Sequence, residues 1–174
     1  FYVLEVKRTM LFNSAEFLLF LPTVFFLYWF VFNRSLKLQT LLIAVASYIF
    51  YGWWDWRFLS LIAISTIVDY SVGLGLSKAR TEKNRKNLLL ISIIVNLGFL
   101  GVFKYFNFFV ESFISAFEIL GIALDPISLS LILPVGISFY TFQTLSYTID
   151  VYHGKLKPTN NFVAFAAYVC FFPQ

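Results

Sequence analysis

Between Leu133 and Gly154 the chain reads LPVGISFYTFQTLSYTIDVYHG, and four of its side chains could do polar chemistry from one direction. Tyr140, Gln143, Tyr147 and Asp150 are spaced by three, four and three residues, which places them in one stripe on a helix. Thr144 borders the stripe, and Phe139 and Phe142 sit mostly off it. Two phenols, an amide and a carboxylate in a row can donate and accept hydrogen bonds or line a path for a polar substrate. The stretch is also long enough to cross a bilayer. Polar groups inside a span normally face a bundle interior or a wet cavity, and they mark sites of function. Two readings stay open: a hydrogen-bonded seam between helices, at about 0.6 kcal/mol per bond and up to about 2, or the wall of a substrate path. Pro134 and Gly136 stand where this helix begins and are expected to break or kink it. Backbone groups freed there need protein or water partners.

Other polar residues are scattered along apolar runs. Asp69 lies inside one run and Lys104 near the end of the next, so the two can pair; a structural ion pair outweighs a catalytic role. Asn96 lies mid-run. Ser71 with Gly75, and Gly98 with Gly101, are small residues that let helices approach closely. His153 is the only histidine, a residue type suited to general-base work. It stands beside Gly154 and Lys155 at the end of the polar span, with no Ser, Cys or second carboxylate at a spacing that builds a triad. Cys170 is the only cysteine. It excludes an intrachain disulfide, and one Cys with one His makes no metal site. The chain has no phosphate loop, zinc spacing or dinucleotide fingerprint.

The elements that must position these residues are membrane spans. The chain has 174 residues and is 60% hydrophobic and 13% charged, with 23 Phe, ten Tyr and four Trp. A soluble domain is about half apolar and about a quarter charged. Apolar runs fall at 17–32, 38–54, 58–76, 88–106, 108–123 (with Glu111 and Glu118, a short span or an interfacial helix), 127–152 and, in part, 162–174. The expected fold class is therefore all-α, a polytopic transmembrane helical bundle. Tyr51-Gly52-Trp53-Trp54-Asp55-Trp56 suits a membrane–water interface. Five of the thirteen Lys and Arg lie between Lys78 and Lys86. Between two apolar runs that cluster reads as a cytoplasmic loop obeying the positive-inside rule, not as a nucleic-acid patch. The loop with Arg34 and Lys37 is then also cytoplasmic, and the N-terminus outside. The side on which Lys155 and Lys157 lie depends on whether 108–123 spans, which is open at this level. Residues 1–9 precede the first Met, Met10, and resemble upstream or mis-started sequence. The abrupt close at Phe171-Phe172-Pro173-Gln174 suggests a piece of a longer protein.

Four segments carry a family resemblance: Met10–Ser14, Tyr51–Trp56, Phe103–Phe109 (FKYFNFF) and above all Leu133–Tyr152. With them, Met10–Gln174 resembles the first third or so of the membrane-bound O-acyltransferase family, in its bacterial alginate O-acetyltransferase branch. Phe171–Gln174 looks like the start of a family motif that continues with Ala-Gly-Pro. The resemblance implies a multi-pass protein of the bacterial inner membrane, with helices ringed around a thinned centre where donor and acceptor meet from opposite sides. It implies acetyl transfer from an acyl donor such as acetyl-CoA to hydroxyls of an exported polysaccharide, with no bound cofactor. It also implies membrane lipid and proteins of an acetylation complex as partners. The family's essential histidine lies well downstream, and His153 does not match it, so no catalytic residue is assigned here. The chain alone is expected to be inactive, with Tyr140, Gln143, Tyr147 and Asp150 as candidate cavity-lining residues. The alternatives are D-alanyl transfer towards teichoic acid, a polytopic transporter, and a truncated product without activity.

Overall fold

The computed structural model describes residues 14–54, 56–119 and 136–172, and among them the regular elements are all helical. The helices are α1 (Ala15–Phe26), α2 (Leu36–Trp54), α3 (Trp56–Lys78), α4 (Glu82–Ile119), α5 (Ile137–Tyr152) and α6 (Phe162–Val169). Three stretches, Leu36–Trp53, Leu59–Lys78 and Glu82–Tyr105, are long and apolar enough to cross a membrane. The protein is thus an all-α membrane protein. Asp55, the side chains of Trp54, Trp56 and Arg57, the 120–135 segment with Pro134, and Pro173-Gln174 lie outside the described residues.

The helices fall into two compact units. In the first, α1 and α2 pack with α6. Ser14 caps α1 by accepting the Phe17 N–H at 3.2 Å. Pro22 inside α1 has no N–H to give to the helix. Five residues on, α1 opens into a π-helical turn, Leu27–Val31, where the Phe32 N–H donates to the Leu27 carbonyl at 2.9 Å. The Gln39 amide of α2 donates to the Tyr28 carbonyl in that turn at 3.1 Å. The core is mainly aromatic. Phe172 meets Phe20 edge-on, with centroids 5.3 Å apart, and lies 5.8 Å from Phe50, while Val24 and Ala46 fill in beside them. The Phe172 N–H donates to the Ser47 hydroxyl at 3.1 Å, which fixes the chain beyond α6 against α2.

The second unit holds α3 from Ile67 onward, α4 and α5. The sequence suggested two runs at 88–106 and 108–123. The chain passes through both as a single helix of 38 residues, at least to Ile119. Neither Pro nor Gly occurs between Val102 and Ile119, so nothing local interrupts the hydrogen-bond ladder. At 1.5 Å per residue α4 is about 57 Å long, nearly twice the roughly 30 Å hydrocarbon thickness. Its first turns, Glu82 to Asn87, are polar, and the apolar stretch begins at Leu88. At the other end of the unit, α5 starts abruptly at Ile137. Its N-cap, Gly136, has φ +82°, a left-handed value that favours glycine.

Three helix ends meet in this unit. The Arg85 guanidinium of α4 donates to the Leu76 carbonyl near the end of α3, at 2.9 Å, and to the Tyr152 carbonyl at the end of α5. The Tyr152 hydroxyl donates to the Glu82 carboxylate at 2.6 Å. The basic run Lys78–Lys86 and the pair Lys155 and Lys157 therefore lie at the same end of the unit. Single cysteines placed at Lys83 and at Lys157 should react with a membrane-impermeant maleimide from the same side of sealed vesicles. Cys170, buried, gives little background. Labelling from opposite sides would break the arrangement described.

Candidate functional site

The most constrained polar group of the second unit is Asp69, in α3 and fully buried. An ionisable side chain inside an apolar span must find partners within the protein. Two neighbouring helices bring them. On α4, Ser92 and Asn96 are four residues apart and share a face; on α5, Thr144 and Thr148 do the same. All four are fully buried. The Ser92 hydroxyl and, at 3.5 Å, the Thr148 hydroxyl donate to one carboxylate oxygen of Asp69. The Asn96 amide donates to the other at 2.8 Å.

Asn96 is the pivot of this seam. Its Nδ2 donates towards α3 and also to the Ser92 carbonyl at 3.0 Å. Its Oδ1 accepts from the Thr144 hydroxyl of α5 at 3.1 Å. Thr144 in turn donates to the Thr141 carbonyl at 3.1 Å, a shared bond. One carboxylate and one amide thus tie three helices together through neutral donors.

The ion pair considered between Asp69 and Lys104 does not form. Lys104 lies eight residues beyond Asn96, about 12 Å farther along α4. It is exposed, with its ammonium 5.7 Å from the centre of the Tyr105 ring. Apart from Asp69 and Asn96, the seam is built from residues that the sequence did not single out for it. Nothing in the sequence marks out Ser92 and Thr148 by themselves, and Thr144 only borders the stripe on α5. The available signal was the four-residue spacing of Ser92 to Asn96 and of Thr144 to Thr148, at the same level as Asp69.

Of the stripe on α5, Tyr140 and Tyr147 are buried, while Gln143 and Asp150 are half-buried. Phe139 and Phe142 are exposed, as expected from their place off the stripe. Tyr147 packs against Gly73 of α3 so closely that a Cβ on Gly73 would lie 3.0 Å from the Tyr147 hydroxyl oxygen. The Asp150 carbonyl accepts the Lys155 N–H at 2.9 Å and closes the turn after α5. His153 is exposed; its Nδ1 lies 2.9 Å from the Ile149 carbonyl and its ring meets that of Tyr152 edge-on. Among the described residues, no three His, Cys, Asp or Glu gather as metal ligands would. The seam fixes helices in place. It does not present an activated nucleophile.

Fold and seam together define a helical membrane protein with a hydrogen-bonded interior. No family model matches the chain. No solved structure matches it either. Curated proteins do. The chain is 44% identical over 169 residues to a Pseudomonas syringae pv. tomato protein named "Probable alginate O-acetylase AlgI", covering 95% of this chain and 32% of the relative. The Pseudomonas aeruginosa protein of the same name is 43% identical, with coverages of 95% and 31%. A Helicobacter pylori protein named "Peptidoglycan O-acetyltransferase" is 30% identical over 196 residues, covering 95% of this chain and 36% of its own length. Along 95% of its length the chain is thus similar to part of proteins named as O-acetylases or O-acetyltransferases. It spans about a third of the length of the curated relatives it matches.

If the seam holds three helices, its members must be energetically coupled. Asp69→Ala leaves buried donors on Ser92 and Asn96 and should destabilise the protein by about 1–3 kcal/mol. A double-mutant cycle of Asp69→Ala with Asn96→Ala, followed by reversible unfolding in mixed micelles, should give a coupling of at least about 0.5 kcal/mol. Additive losses would show that the bonds contribute nothing jointly.

Proposed function

We propose that this chain is part of a multi-pass acetyltransferase of the bacterial inner membrane that places acetyl groups on hydroxyls of an exported, alginate-like polysaccharide. The observation that carries this reading is the 44% and 43% identity, along 95% of the chain, to two proteins named as probable alginate O-acetylases. The donor is acetyl-CoA or a similar activated acetyl group. The acceptor is a polysaccharide, and other proteins of an acetylation assembly act with the enzyme.

Such a transfer needs a base to take the hydroxyl proton and donors to stabilise the oxyanion formed on the attacked carbonyl. The described residues of this chain supply a framework for that chemistry. Asp69 is occupied by three donors within the seam, and His153 stands exposed at a helix end. Tyr140, Gln143, Tyr147 and Asp150 are the side chains we assign to the lining of the substrate path, flanking the seam on α5.

A second reading concerns only the acceptor. The Helicobacter relative, at 30% identity, bears a name that points to a cell-wall glycan instead. The higher identities favour the exported polysaccharide.

Disruption of the gene in its own host should remove O-acetyl groups from the secreted polysaccharide, measured by proton NMR, with small-molecule uptake and efflux unchanged. Undiminished acetylation would overturn the reading, and loss of acetyl groups from the cell wall alone would move the acceptor to peptidoglycan. The purified 174-residue chain, given acetyl-CoA and alginate, should transfer no acetyl groups. Robust transfer would show that it holds the catalytic groups itself.

A further inference from the structure

At the basic end of the second unit a groove of about 400 Å³ opens between α3 and α4. It is lined by the apolar Gly75, Ala79, Leu88 and Ile91, the apolar floor, and by Lys78, Asn84 and Asn87, which we take as its polar rim. Gly75 keeps the floor low, since a Cβ there would come within 3.1 Å of the Leu88 side chain. Lys78, Asn84 and Asn87 are exposed. The position along the helices is equally specific. Lys78 ends the apolar stretch Leu59–Lys78, and Leu88 begins the apolar part of α4. The groove therefore straddles the level where hydrocarbon gives way to headgroups.

From this geometry we propose that the α3–α4 groove binds an anionic phospholipid. The Lys78 ammonium and the amide donors of Asn84 and Asn87 meet the phosphate and glycerol region, and the upper acyl chain lies over Leu88 and Ile91. Lys83 extends the positive rim on the side of Asn87, four residues away on the same face. The nearby carboxylate of Glu82 is engaged by the Tyr152 hydroxyl and lies 3.9 Å from the Arg85 guanidinium. The groove thus combines an interfacial depth, a net positive rim and an apolar floor, which suits a lipid with a charged headgroup better than a soluble anion.

The test is native mass spectrometry of the whole chain, titrated in detergent with phosphatidylglycerol or phosphatidylcholine of the same acyl chains. Phosphatidylglycerol should be retained preferentially. Lys78→Gln should cut its retention about fivefold, the size expected for one basic residue near an anionic surface, and Asn87→Ala should weaken it as well. Lys155→Gln with Lys157→Gln, on the loop after α5, should leave it unchanged. Millimolar inorganic phosphate should not displace the lipid. Equal retention of the two lipids, a preference that survives Lys78→Gln, an equal loss from the Lys155 and Lys157 changes, or displacement by phosphate would each overturn the proposal.

Discussion

A carboxylate within an apolar span sets the terms for the second unit. Water is not at hand to solvate Asp69, so hydrogen-bond donors must come from the protein, and α3 alone does not supply them. Ser92, Asn96 and Thr148 do. Because hydrogen bonds are short and directional, this requirement fixes both the rotation of α4 and α5 about their axes and their height relative to α3. The close approach of Tyr147 to Gly73 follows from that placement. So does the meeting of helix ends at Arg85, some three turns from Asn96, where one guanidinium reaches carbonyls of both neighbours. A pin in the middle and a clamp at the end act on the same three helices, and each limits the sliding and twisting that the other leaves free.

The first unit coheres largely through aromatic packing. Phe17, Phe20, Phe50 and Phe172 interlock, and the Phe172 N–H on Ser47 and the Gln39 amide on the π-turn carbonyl are among its polar contacts. Among lipid tails apolar burial has little driving force of its own, and helix association rests on close packing and hydrogen bonds. Aromatic rings are well suited to that, since large flat faces make many dispersion contacts and their edges and faces attract. The two units thus illustrate two solutions to one problem, shape in the first and donor–acceptor matching in the second.

Much of this was legible in the sequence, for identifiable reasons. Long apolar runs with few charges announced membrane helices, and the left-handed demand before α5 coincided with a glycine, Gly136. Asp69 and Asn96 stood out because such groups are expensive in hydrocarbon. Their partners did not, because Ser and Thr in a helix can satisfy themselves locally. Ser47 bonds the Ile43 carbonyl, Thr66 the Ile62 carbonyl and Thr141 the Ile137 carbonyl, each four residues back. Ser92 and Thr148 look no different in a list of letters. What separates them is the helix opposite, a fact of tertiary structure. Lys104 misled for the converse reason: opposite charge suggested a partner for Asp69, and depth along α4 forbade it. The length of α4 escaped because Glu111 and Glu118 resemble a surface boundary, although no Pro or Gly stands between Val102 and Ile119.

The same physics bears on the function proposed above. A reaction centre in a membrane needs catalytic and substrate groups held to within a fraction of an ångström, in a medium where apolar packing alone does not fix helix register. A hydrogen-bonded seam does so, because a one-residue slip of α4 would carry Ser92 and Asn96 away from Asp69 and strand a buried polar group. On the reading proposed here, the α5 residues assigned to the substrate path, Tyr140, Gln143, Tyr147 and Asp150, share a helix with Thr144 and Thr148. Their positions are then as fixed as the seam itself. A polar group that looks like a defect in an apolar span is, in this arrangement, what allows neighbouring side chains to be placed with the accuracy that chemistry requires.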